Sequence, residues 1–162
     1  MENIKKALDK IISSACVIVF ILMVLFTTFQ VTVRYVFKSP SSTSETITRY
    51  LFVWLIILSA TYVFGKRDHI CISYVKDKMN ESIKRIMNII GEVIIIFFSL
   101  TIMVYGGIIV SKMNMLQFDS ILGIPTGLIY SIIPICGVII IFYSIFNIMI
   151  YLGKMKEDNL CQ

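Results

Sequence analysis

The sequence predicts an all-α integral membrane fold: four transmembrane helices, plus an interfacial amphipathic helix between the second and the third. Three observations predict it. Four apolar stretches, at about residues 11–33, 47–64, 86–110 and 128–152, each reach the roughly 17–25 residues a spanning helix needs. Hydrophobic residues make up 57% of the chain and mean hydropathy is +0.86, more apolar surface than a water-soluble fold of 162 residues can cover. Between the second and third stretches, at about residues 71–85, apolar residues recur at every third or fourth position instead of continuously.

The first element begins with a basic lead carrying Lys5, Lys6 and Lys10. The apolar stretch after it exceeds the roughly 7–15 residues of a signal-peptide core, and no small-residue cleavage site follows, so it is read as a retained anchor. Ile4, Ala7, Leu8, Ile11 and Ile12 share one helical face, which predicts a helix that starts on the membrane surface and runs into the first span. In the first loop Pro40 disfavours helix at Ser39, and the Ser/Thr run after it offers N-caps for the second span. Glu45 suits the positive end of that helix, and Arg49 follows it at the favourable i,i+4 spacing.

In the second loop Ile72, Val75, Met79, Ile83 and Ile86 take one face, while Ser73, Lys76, Asp77, Asn80, Glu81 and Lys84 take the other. This pattern predicts a helix lying along the membrane surface with its lysines toward anionic lipid headgroups. In the third loop Gly123, Pro125 and Gly127 break helix, and Pro125 pre-sets entry into the fourth span. Gly123 and Pro125 are therefore the candidate residues shaping that loop. Pro134 removes a backbone hydrogen bond one to two turns further on and is expected to kink the span.

Charge orients these elements. Lys5, Lys6, Lys10, Lys66, Arg67, Lys76, Lys78, Lys84, Arg85, Lys154 and Lys156 fall on one side, against Arg34, Lys38, Arg49 and Lys112 on the other. Eleven against four places both termini in the cytoplasm. The net charge of +5 thus tracks topology and does not indicate nucleic-acid binding. Cys16, Cys71, Cys136 and Cys161 avoid the outer loops and form no CxxC pair, so no structural disulfide, metal or cofactor site is expected.

Few residues qualify as chemical sites. Glu92 is the one acid well inside a predicted span, hence a candidate intramembrane polar contact. It sits about two turns from the cytoplasmic edge, where snorkelling or a basic partner satisfies it. Arg34, Glu45 and Arg49 cluster at the outer ends of the first two spans, as a charge network tying the helix ends together and docking a partner. His69 stands alone in a basic loop, with no nucleophile–base pair to join, so no enzyme is expected. Trp54 and the tyrosines suit interfacial belts or helix packing, and Gly106-Gly107 suits close helix approach. A transporter acting alone needs unwound polar segments near the bilayer middle, and these spans lack them. The residues favour an accessory or scaffold subunit.

Arg34-Tyr35-Val36-Phe37, Ser44-Glu45, Arg49-Tyr50-Leu51-Phe52-Val53-Trp54-Leu55, Arg67-Asp68-His69-Ile70 and Leu122-Gly123-Ile124-Pro125-Thr126-Gly127-Leu128-Ile129-Tyr130 occur in that order, with Pro134 beyond. The succession resembles the small membrane subunit, DctQ type, of tripartite ATP-independent periplasmic (TRAP) transporters, over the whole chain. The resemblance implies import of organic acids driven by an ion gradient, usually sodium. It implies two protein partners, a large permease subunit carrying the transport path and a periplasmic substrate-binding protein that docks transiently, besides membrane lipid. It implies a bacterial inner-membrane location, and it carries Arg34, Glu45 and Arg49 to the docking side. Two competing readings remain: a small homo-oligomeric proton-coupled exporter using Glu92, and a four-helix thiol oxidoreductase, which would need outer-loop cysteine pairs that this chain lacks.

Overall fold

In the computed structural model the chain is described over residues 2–39, 41–66 and 81–158. Helix α1 (Glu2–Tyr35) is continuous for 34 residues, about 51 Å, and so exceeds the roughly 30 Å hydrocarbon layer. The basic lead and the first apolar stretch thus form one helix. Lys38, at φ 51, turns the chain after it, and the Ser39 N–H reaches back to the Val33 carbonyl at 3.4 Å. Helix α2 (Ser42–Lys66) then starts on Ser41, whose hydroxyl accepts from the Ser44 N–H at 3.5 Å.

The third span is composite: α3 (Glu81–Phe98), a π-helical segment (Ser99–Gly106), α4 (Gly107–Met113) and a 3-10 turn (Asn114–Leu116). The fourth comprises α5 (Thr126–Tyr130) and α6 (Ile132–Asp158). Four helical stretches, Lys5–Tyr35, Ser42–Lys66, Met87–Leu116 and Thr126–Met149, are long and apolar enough to cross a membrane. The molecule is a multi-pass, all-α membrane protein. The expected interfacial helix at 71–85, together with Asp68 and His69, lies largely outside the described residues.

Helix α1 packs on α2, α2 on α6, and α6 on α3 and the π segment. The sequential spans therefore sit in the spatial order one, two, four, three, with α2 and α6 inside. Val19, Leu58 and Cys136 form the buried centre where α1, α2 and α6 meet. Glycines set the tightest approaches: a Cβ at Gly137 would lie 2.7 Å from Met103 Cβ, and one at Gly107 2.9 Å from Pro134 Cδ.

The fourth span is disturbed within the turn before Pro134, where its kink is expected, and Ser131 itself keeps a right-handed helical backbone (φ −62, ψ −18). The fourth span is interrupted at Ser131, and Pro134 occupies the first turn of the new helix, where a missing N–H costs least. The Ser131 N–H turns to the Leu128 carbonyl (3.3 Å), which leaves the Gly127 carbonyl without its i+4 donor. The Ser111 hydroxyl donates to that carbonyl at 2.7 Å. Trp54 Nε1 donates to the Ile129 carbonyl in the same turn, at 3.0 Å. A break in hydrocarbon persists only where neighbouring side chains take up the freed groups, and Ser111 and Trp54 do so here.

Candidate functional site

Two polar clusters occupy opposite ends of the bundle. At the end that holds the start of α1 and the last part of α6, Lys5 Nζ donates to Asn147 Oδ1 at 3.1 Å and the Tyr143 hydroxyl donates to Asp9 Oδ1 at 2.6 Å. Tyr143 is buried against Gly65, where an added Cβ would meet the ring at 2.9 Å. Lys66 Nζ stands 4.7 Å from the Tyr62 ring centroid. These contacts tie α1, α2 and α6 together.

The other end carries a cleft of about 350 Å³ lined by Ser42, Glu45, Thr46, Arg49, Asp119, Ser120 and Ile121. Its floor is the start of α2, and its wall is the loop after the 3-10 turn. Asp119 organises that loop. Its Oδ1 accepts the N–H groups of Ile121 (2.9 Å) and Leu122 (3.0 Å), an Asx turn. Its carbonyl accepts the Gly123 N–H at 2.8 Å, and its own N–H donates to the Ile124 carbonyl at 3.0 Å. Gly123 lies at φ 64, a region glycine enters without a Cβ clash, and Pro125, at φ −62, precedes the first turn of α5. The Thr126 hydroxyl closes the loop on the carbonyls of Asn114 and Gln117, both at 3.1 Å.

The Tyr50 hydroxyl, from the first turns of α2, donates to Asp119 Oδ2 and clamps loop to helix. That bond first, and then the N–H groups of Leu122 and Ile121, hold the Asp119 carboxyl below its ordinary value. Glu45 and Arg49 pair at 3.5 Å on the rim, with both side chains well exposed. Arg34 does not line the cleft; it stands at the end of α1 over the Tyr35 ring, 5.9 Å from the centroid. The arrangement offers hydroxyls, one cation and two carboxylates where the braced loop meets the start of α2. Among the described residues no three His, Cys, Asp or Glu side chains gather as a metal site.

Glu92 is buried, and it engages a partner within the chain. The sequence suggested only a belt or packing role for Tyr50, and no role for Asp119, Asp9, Tyr143 or Asn147. Asp119 carried a local signal, an aspartate four residues before Gly123. Tyr50 carried none, because its partner lies 69 positions away.

A model of the family described as "Tripartite ATP-independent periplasmic transporters, DctQ component" matches residues 23–150. A protein of Haemophilus influenzae named as a TRAP transporter small permease is 28% identical over 140 residues, 86% of this chain and 86% of that one. A second protein of that organism, named likewise, is 22% identical over 91% of this chain and 88% of its own length. The sialic acid TRAP transporter permease protein SiaT of Haemophilus influenzae is 25% identical over 70% of this chain, which spans 18% of SiaT. A four-span helical bundle, a braced polar loop and a family match over most of the length agree: the chain belongs to the DctQ component family of the tripartite ATP-independent periplasmic transporters.

Proposed function

We propose that this chain is the small membrane subunit of an ion-gradient-driven, binding-protein-dependent importer of organic acids. It lies in the bacterial inner membrane with both termini cytoplasmic, packs on a large permease subunit, and offers its loop-end cleft to the substrate-binding protein. The cleft is the observation that carries the docking role. Asp119 is held by two N–H groups of its own loop and by Tyr50 of α2, so the loop presents Ser120 and Ile121 without further ordering on contact. Glu45, Arg49 and the neighbouring hydroxyls supply the polar complement, and Gly123 and Pro125 give the loop its shape. Arg34, in the last turn of α1 at the same end of the bundle, steers encounter by its charge. The lysine and arginine asymmetry supports the orientation.

SiaT supports the partnership, since a segment similar to this chain there forms part of a much longer permease. Its name also supports the substrate class, because sialic acid is an organic acid. Coupling to sodium is carried over from the family resemblance.

The test is uptake by vesicles holding the large permease and its binding protein, with and without this chain. Uptake is expected to need the chain. The Arg49→Ala/Asp119→Ala pair is expected to raise the binding-protein concentration that gives half-maximal uptake, while the maximal rate changes less. Transport by this chain alone, or an unchanged concentration dependence, would refute the proposal.

A further inference from the structure

On the exposed surface of α1, Thr27 donates to the Met23 carbonyl at 2.7 Å and Thr32 to the Thr28 carbonyl at 2.8 Å, and the short hydroxyls of Ser14 and Thr28 have their own helix's carbonyls within the same reach. Gln30 stands five residues before the end of α1, near enough for its amide to snorkel to the interface. The opposite flank of the bundle differs. Tyr105, in the π segment, is 69% exposed, and its hydroxyl finds no hydrogen-bond partner among the described residues. A phenol cannot bend back to its own backbone as Thr101 does, to the Phe97 carbonyl at 2.7 Å. Lys112, the first charged residue beyond Tyr105, stands seven positions on, about 10 Å along the helix. Helical side chains lean toward the N-terminus, so the Tyr105 hydroxyl points away from Lys112, deeper into the apolar span. Lipid tails accept no hydrogen bond there.

Two glycines of the same span make no tight contact among the described residues. A Cβ at Gly91 would meet nothing within 4 Å, and one at Gly106 would meet only the helix's own Thr101 carbonyl, at 3.7 Å. Glycine weakens a helix relative to alanine, so both positions carry a cost that packing among the described residues does not offset. Gly65, Gly107, Gly127 and Gly137, by contrast, all lie at tight internal contacts. A π-helical segment is itself uncommon and is frequently found at functional positions.

We infer that the outward face of α3 and the π segment, centred on Tyr105, receives a transmembrane helix of the large permease, and that this helix carries a hydrogen-bond acceptor opposite the Tyr105 hydroxyl. The inference rests on the proposal above that a large permease is the partner. A neighbouring helix supplies the acceptor, whereas lipid tails supply none.

The experiment replaces Tyr105 with p-benzoylphenylalanine, and separately Phe20 on the α1 flank, in the chain expressed with its large permease. Membranes are irradiated and the cross-linked partner is identified. Cross-linking to the permease from position 105 and not from position 20 is the expected result. Tyr105→Phe, which leaves the packing in place, should weaken association of the two subunits about threefold. Cross-linking from 105 to lipid alone or to a second copy, or from 20 as strongly as from 105, overturns the inference if the wild-type chain still retains the permease. Loss of the permease from the wild-type chain overturns the proposed partnership, and this inference with it.

Discussion

Replacing Gly127 by alanine tests how the fourth span enters the bundle. An added Cβ would sit 2.3 Å from the Ser111 carbonyl oxygen, 2.8 Å from the Met115 N and 2.9 Å from Met115 Cγ. Ordinary contacts begin near 3.4 Å, and two of these neighbours are backbone atoms that cannot rotate away. The helix must therefore move by about 1 Å, an overpacking cost of about 1–3 kcal/mol. The same shift stretches the 2.7 Å bond from the Ser111 hydroxyl to the Gly127 carbonyl, adding about 1 kcal/mol. Together the substitution is expected to cost about 2–4 kcal/mol and to displace the loop that forms the cleft. Reversible unfolding in mixed detergent micelles measures it, with Gly91→Ala as the control. Alanine at position 91 meets nothing within 4 Å among the described residues and should stabilise the isolated subunit by a few tenths to about 1 kcal/mol. If Gly127→Ala unfolds at the wild-type detergent fraction, the close approach of α4 and α5 is not what holds the fourth span.

Other perturbations separate the remaining contacts. Trp54→Phe removes the donor to the Ile129 carbonyl and should cost about 1–2 kcal/mol, with faster amide exchange confined to residues around the Ser131 break; unchanged exchange there would count against the role given to Trp54. Asp119 titrates below its ordinary value when folded, so its contribution to loop order is complete above that value, about pH 4, and fades as pH falls through the depressed one. Tyr50→Phe removes the largest cause of the depression, and carboxyl NMR of a labelled Asp119 should then show its titration moving up; a stationary midpoint would refute the clamp. Gly65→Ala drives a Cβ against the Tyr143 ring at 2.9 Å and should release the start of α1, read as increased spin-label mobility near Asp9. The exposed Glu45–Arg49 pair should show a coupling of at most about 0.5 kcal/mol in a double-mutant cycle, and a larger value would mean that the pair is covered in the complex.

Much of the architecture follows from runs of residues that act locally. Ile, Leu, Val and Phe over about twenty positions require a solvent of lipid whatever their neighbours do, so the four spans and their class are readable before any contact is known. Ser41 as a cap, Gly123 as a left-handed turn and Pro125 as an entry residue are likewise local, because each acts on its own backbone or the adjacent turn. Pro134 shows the boundary. Its lost N–H is legible, but whether that loss bends a helix or starts a new one depends on Trp54 and Ser111, which sit on other spans.

The sequence by itself determined the membrane as solvent, the number of spans, the polar loops between them and the membership of a transporter family. The tertiary structure alone decided the spatial order of the spans, the π winding of the third, the break in the fourth, and the pairings of Tyr50 with Asp119 and Tyr143 with Asp9. The physical reason is range. Hydropathy and turn chemistry act within a few residues, whereas these pairings join groups 69 and 134 positions apart, which only the packed helices bring within reach.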